Sequence, residues 1–165
     1  MTREQQSPEI TLRNVMQADL PLFFEHQLDA EANRMAAFTS GNPADRKAFD
    51  AHWSRILAAA TIVKRSILLD GGIVGHIMVY EQEGHPEVTY WIGREHWGRG
   101  LATGALKLFL GEFAVRPLHA RVAKDNAGSL RVLRKCGFVV VGEGRGFAPG
   151  RGEEVEEHLL RLDAD

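Results

Sequence analysis

"YWIGREHWGRGLATGALKLF", residues 90–109, is the stretch on which the reading of this chain turns. It opens with apolar and aromatic side chains suited to a strand. It then passes through Trp97-Gly98-Arg99-Gly100 and becomes a run of good helix formers, with Leu106, Leu110 and Phe113 in register. A strand that enters a helix through glycines presents N–H groups with no helical partner, where the macrodipole favours an anion. Glycine lets that backbone come close to the anion. Arg99 adds a cation and Thr103 a hydroxyl. The plainer alternative is a tight turn with glycine for geometry alone.

Working outward, "EITLRNV" (9–15) alternates as a half-buried strand. Asp19 is placed to cap a helix with Pro21 in its first turn, and "GNPADRKAFDAHWSRILAAA" (41–60) starts a second from Asn42 and Pro43. Phe49, Trp53, Ile56 and Leu57 share one face of that helix. Strands are expected at 61–70 and 73–80, joined by Asp70-Gly71-Gly72 as a hairpin, and at 87–93. Downstream of the quoted stretch come a strand over 118–123, a short helix over 126–136 stopped by Gly137, and a strand over 138–143. A glycine-rich loop (144–152) and a last strand (155–162) complete the chain. The order β-α-α-β-β-β-α-β-α-β-β describes one mixed α/β domain over 9–165, with a loose tail over 1–8.

Composition excludes several classes. The chain has 165 residues, 44% of them hydrophobic and 25% charged, with a formal net charge of −2. That charge gives no reason to expect nucleic acid or an anionic membrane as partner. Cys136 is the one cysteine, so no internal disulfide forms, and a reducing cytoplasm is the expected setting. The polar "MTREQQSPE" lacks the apolar centre of a signal peptide, and no apolar run reaches the roughly 20 residues of a membrane span. Seven histidines show no short ligand spacing, so no metal is expected. Trp53, Trp91 and Trp97 are read as core or pocket wall, and Cys136 as a packing residue.

The common phosphate motifs do not fit the opening stretch. A P-loop needs Lys-Ser or Lys-Thr after its second glycine, and a dinucleotide fingerprint needs glycine where Thr103 stands. Trp97-Gly98-Arg99-Gly100-Leu101-Ala102-Thr103, followed by Asn126-x-x-Ser129 and Lys135-Cys136-Gly137-Phe138, instead resembles the GNAT N-acetyltransferase superfamily. The similarity is greatest to the branch of ribosomal-protein N-terminal acetyltransferases. The order of elements agrees from Ile10 to Leu162.

The resemblance implies the GNAT fold, with a mostly antiparallel sheet of about seven strands splayed in the middle. It implies acetyl-CoA as cosubstrate, its arm lying along Trp91, Ile92 and Gly93. Gly98, Arg99, Gly100, Leu101, Ala102 and Thr103 would hold its pyrophosphate, and Asn126 and Ser129 would contact it further on. It implies acetyl transfer to a primary amine in a ternary complex, with Glu87 as base and Ser129 as donor to the leaving thiolate. A homodimer is compatible. Glu87 has the alternative of a strand-edge charge, with Glu81 and Glu83 as substitutes, and Ser129 that of a helix cap. The tyrosine acid of many superfamily members has no counterpart on or after the 126–136 helix. Arg131 and Lys135 are read as solvent-exposed.

The acceptor side is expected around 28–42 and 144–152. There Asp29, Glu31, Arg145 and Arg151 read as solvated charge, and "ANRMAAF" as a lid or a helix end. The acceptor would be a protein N-terminus or a small molecule. A non-catalytic acyl-CoA-binding or sensing module is the alternative function.

Overall fold

The computed structural model describes residues 9–164, so the tail expected over 1–8 lies outside it. Strand β1 (Ile10–Asn14) is followed by helices α1 (Leu20–Leu28), α2 (Ala30–Ala36) and α3 (Arg46–Ala58). Strands β2 (Val63–Leu69), β3 (Gly72–Gln82) and β4 (His85–Ile92) come next. Helix α4 (Leu101–Glu112), β5 (Leu118–Ala123), α5 (Ala127–Lys135), β6 (Val139–Ala148) and β7 (Glu153–Leu162) complete the described chain. The seven strands form one sheet in the order β1-β2-β3-β4-β5-β7-β6. Every pairing is antiparallel except β4 with β5.

The pattern of apolar residues explains both faces. On one face α4 sets Leu106 and Phe109, fully buried, against Ile67, Ile77, Leu118 and Leu160 of the strands. On the other, α1 and α3 bury Leu20, Phe23, Phe49, Trp53 and Ile56 against Met78 of β3. Phe49, Trp53 and Ile56 fall at the helical spacing read from sequence. The β2–β3 hairpin is also as expected: Asp70 and Gly71 take φ of 49° and 85°, the left-handed pair of a type I′ turn.

Four local expectations need correction. Helix α3 starts later than Asn42, because Asp45 is the residue whose carboxylate accepts the Ala48 N–H, at 3.0 Å. A separate helix α2 lies where the sequence offered a lid or a helix end; Asp29 starts it by accepting the Ala32 N–H at 2.9 Å. The glycine-rich 144–152 is mostly strand, since β6 continues to Ala148. Gly142, Gly144 and Gly146 alternate along it and leave space for Leu159, Glu157 and Phe38.

The fourth correction is Asp19, which does not cap α1. Its buried carboxylate accepts both guanidinium nitrogens of Arg13 at 2.7 and 2.9 Å, the Met16 N–H at 2.9 Å and the Ser66 hydroxyl at 2.7 Å. It thereby ties β1, the turn into α1, and β2 together. Burial alone would raise its pKa, but these donors outweigh it and hold the carboxyl below the usual carboxylate range. A depressed carboxyl contributes stability that is complete above its unfolded value, about 3.9, and lost as pH falls through the folded value. Asp19→Ala should therefore cost on the order of 3 kcal/mol at pH 7 and flatten the acid limb of a stability profile. Urea denaturation between pH 3 and pH 7 measures both; an unchanged midpoint at pH 7 would refute the assignment.

Candidate active site

Strands β4 and β5 pair at a single position, Glu87 with His119. Beyond it they diverge, and the β5-facing edge of Val88–Ile92 is left open. On its other side β4 stays in register with β3 through Ile92. There the Trp91 carbonyl comes so close to Gly75 that a Cβ on Gly75 would lie 2.0 Å from it, so only glycine fits.

The stretch after β4 builds one wall of the opening. The Trp97 indole N–H donates to the Ile92 carbonyl at 2.8 Å and folds the connection back onto the strand end. Gly98 and Gly100 adopt φ of 78° and 73°, which glycine alone takes without strain. No side chain caps α4. The amides of Leu101, Ala102 and Thr103 precede the first helical bond, Gly104 N–H to Gly100 carbonyl at 3.1 Å.

Two cavities follow the opening. The larger, about 550 Å³, runs past Ile92 and residues 97–103, excluding Arg99, to the outer face of α5. The smaller, about 340 Å³, is walled by Tyr80, Glu87, Arg121 and Glu157 and covered by Phe38 and Thr39. Ala36, Tyr90, Trp91, Asn126 and Ser129 border both, so the two meet there.

Most residues singled out from sequence converge on these walls. Trp91, Ile92, Gly98, Gly100, Leu101, Ala102, Thr103 and Asn126 do so, as do Glu87 and Ser129. Arg131 and Lys135 are exposed and also border the larger cavity. Arg99 is exposed and lines neither; Gly93 is buried, its N–H donating to the Val74 carbonyl at 2.8 Å and its missing Cβ leaving room for the His26 ring. Glu81 and Glu83 are exposed and outside both cavities. Asn126 caps α5, accepting the Ser129 N–H at 3.2 Å, and donates to the Met35 carbonyl at 3.2 Å. Arg151, read as a loop charge, is bound to Asp125 and to the Arg34 carbonyl. Burial pushes the Cys136 thiol up, consistent with a packing role.

Sequence reasoning missed four side chains. Tyr90 reaches Ser129 from β4, with 2.7 Å between hydroxyls, so a tyrosine stands beside this serine although none lies on its helix. Burial pushes the Tyr90 hydroxyl up to about 12, against the opposing effect of Ser129. Tyr80, Glu87, Arg121 and Glu157 cross one face of the sheet as a polar row. Glu87, buried, accepts the Arg121 Nε–H at 2.8 Å and the Tyr80 hydroxyl at 2.7 Å. Glu157 is buried on β7, 3.5 Å from Arg121 Nη1. Burial raises its carboxyl, Arg121 lowers it and Glu87 raises it again. The legible signal was the alternation of strand positions; the pairing of β5 with β7 was not. Among the described residues no group of three or more His, Cys, Asp or Glu is arranged to hold a metal ion.

Residues 9–139 match the family described as acetyltransferase (GNAT) domain. An uncharacterized N-acetyltransferase p20 of Bacillus licheniformis is 25% identical over 95 residues, covering 55% of this chain and 53% of its own length. The matched region thus spans about half of that relative. Among solved structures, Mycobacterium smegmatis RimJ in complex with CoA-disulfide superimposes with a TM-score of 0.78 at 22% identity, over 94% of this chain and 82% of the other. Vibrio cholerae spermidine N-acetyltransferase in complex with CoA and spermine gives 0.76 at 18% identity, over 93% and 95%.

The left-handed glycines give a direct test of the wall built after β4. A Cβ on Gly98 or Gly100 meets nothing within 4 Å, so the penalty of alanine there is backbone strain alone. Each of Gly98→Ala and Gly100→Ala should lower stability by about 1–2 kcal/mol in urea titrations. No loss at either position would mean the loop does not hold this conformation.

Proposed function

The chain belongs to the GNAT acetyltransferase family, and from that premise we propose that it transfers an acetyl group from acetyl-CoA to a primary amine. The observation that carries this reading is the meeting of two cavities at Tyr90 and Ser129, beside a strand edge that has lost its neighbour. In this proposal the pantetheine arm takes the place of the missing strand pairing along β4. The pyrophosphate rests on the uncapped amides of residues 98–103, and the thioester lies near the junction. The amine comes from the smaller cavity.

The chemistry assigns a task to each group. An acceptor amine arrives protonated, since its pKa is about 7.7–8.0 for an α-amino group and about 10.4 for lysine. It loses a proton before its lone pair attacks the thioester carbonyl carbon. Glu87 is the base assigned from sequence. Each of its oxygens accepts one hydrogen bond, from Arg121 or from Tyr80, and keeps a further lone pair through which a water molecule relays the amine's proton. A strand N–H steadies the oxyanion. As the C–S bond breaks, the thiolate takes a proton from the Ser129–Tyr90 pair, and the nitrogen's second proton restores the pair. The Tyr90 hydroxyl, at about 12, stays protonated through pH 9 and contributes no alkaline loss of activity below that. The acceptor class ranges from a protein N-terminus to a small polyamine of the kind bound by the Vibrio cholerae neighbour.

Thermal unfolding with acetyl-CoA, CoA, NAD and ATP tests the cofactor. At one hundred times the dissociation constant a selective ligand adds about 2.7 kcal/mol, a rise of roughly 5–10 °C for a chain of this size. The CoA compounds should give it and NAD and ATP should not; no shift with CoA removes the proposal. Binding without thiol release from any amine would identify a sensing module instead. Once an acceptor is found, Tyr90→Phe and Ser129→Ala should each lower kcat by about a hundredfold with acetyl-CoA binding intact. An unchanged kcat in both would remove the pair from the mechanism.

A further inference from the structure

The smaller cavity holds an asymmetry among its charged groups that the acetyl-transfer mechanism above does not use. Arg121 is the cation on its wall, and the carboxylates Glu87 and Glu157 both border it. Arg121 is committed to Glu87 at 2.8 Å, and Glu87 is completed by Tyr80. Glu157 is left at 3.5 Å from the same guanidinium through Oε1, and its Oε2 has no hydrogen-bond partner. Its side chain is only 6% exposed, so bulk solvent barely reaches it. A buried carboxylate with one long ion pair and an unpaired oxygen is costly, and a donor entering the cavity would complete it. Gly144, opposite Glu157 on β6, gives this side chain room, since a Cβ there would stand 3.0 Å from Glu157 Oε1.

We propose that Glu157 is the docking carboxylate for the acceptor, taking the ammonium of a primary amine that carries no carboxylate beside it. This rests on the acetyl-transfer reading and names the substrate class of the same site. The terminal torsion of a glutamate is soft and two-fold, so either oxygen can be turned to the cavity. An arriving ammonium supplies the missing donor and balances the second carboxylate. The raised carboxyl of Glu157, driven first by burial, agrees with a group awaiting a cation. A free amino acid would bring its own carboxylate next to Glu87 and Glu157, where like charges repel. Amines, amino-acid amides and peptide N-termini carry no such charge, and the aromatic rings of Tyr80, Tyr90, Trp91 and Phe38 suit their apolar parts.

The test compares tyrosine with tyramine and tyrosinamide, and leucine with leucinamide, by thiol release from acetyl-CoA. The wild-type protein should use the amine and the amides with kcat/KM at least about tenfold above the free amino acids, the weight of one charge-assisted contact. Glu157→Gln should raise KM for tyrosinamide by about tenfold, leave KM for acetyl-CoA within about twofold, and narrow the preference over tyrosine. A role in folding alone would not change that preference. The wild-type comparison stands by itself should the variant not fold. Free amino acids used as well as their amides, or a Glu157→Gln protein with unaltered KM and preference, would overturn the proposal. So would turnover of none of these amines by a protein whose melting point acetyl-CoA raises, and that outcome would leave the cofactor reading in place. Absence of any acetyl-CoA shift would instead overturn the acetyl-transfer reading on which the proposal rests.

Discussion

Strands β4 and β5 lie side by side yet share one residue pair, and the rest of the molecule is organised around that missing edge. Backbone N–H and C=O groups must be paired or hydrated, so a sheet split in the middle persists only if both halves are held independently. Here they are. On one side β2–β4 form an antiparallel meander that β1 joins at its edge, fixed by the Asp70–Gly71 turn and by the Asp19 cluster. On the other, β7 pairs with β5 along its length and carries β6 at the outer edge. The two halves are bridged by α4 and α5, whose side chains fill the core beneath the split. Because β4 and β5 are parallel and each leads into a helix, both helix N-termini face the same end of the opening. That is the crevice in which open α/β sheets bind ligands.

The roof over the junction is a second consequence. Helix α2 reaches the far half of the sheet through three separate ties. Asn126 donates to the Met35 carbonyl, Arg151 to the Arg34 carbonyl, and the Gly150 N–H to the Ala37 carbonyl at 2.8 Å. Gly150 is hemmed in by the Asn33 and Ala37 carbonyls and the Thr39 hydroxyl at 2.7–2.9 Å from where a Cβ would stand. The segment carrying Ala36, Phe38 and Thr39 is thus held by hydrogen bonds to its own carbonyls and by the fully buried Ala37, which packs with Ala123 and Ala148. Asn126 serves both purposes, capping α5 and anchoring α2.

These dependencies explain what was legible in the sequence. The Trp97–Thr103 turn is local: a few consecutive residues determine the conformation, and their types announce it. The face of α3 was legible because helical periodicity is local too. Helix α2 was not, because its seven residues are too few for a clear period and it is stabilised by contacts far away in sequence. Gly144 and Gly146 of β6 read as loop because glycine weakens strands in isolation. Their spacing of two becomes meaningful only when Glu157 of β7 and Phe38 fill the bare face. The site followed the same division. Residues of the larger cavity lie within consecutive motifs, whereas Tyr90 meets Ser129 across 39 positions and Arg121 meets Glu87 across 34. Neither pairing is implied by residue type.

Two buried carboxylates differ in how far the fold supplies their partners. Asp19 and Glu157 are both nearly inaccessible, and each faces an arginine. Asp19 has its arginine to itself and gains a backbone amide and a hydroxyl as well, so its charge is stabilised and its carboxyl lowered. Glu157 shares its arginine with a better-placed rival, and its carboxyl is raised. The first arrangement is closed: every donor nearby is used, and the ties run between elements of the scaffold. The second stays open on the cavity side, where a further donor would complete it. Burial is common to both, so burial does not distinguish them. The difference lies in whether the fold itself supplies the partners, and at Glu157 it stops short.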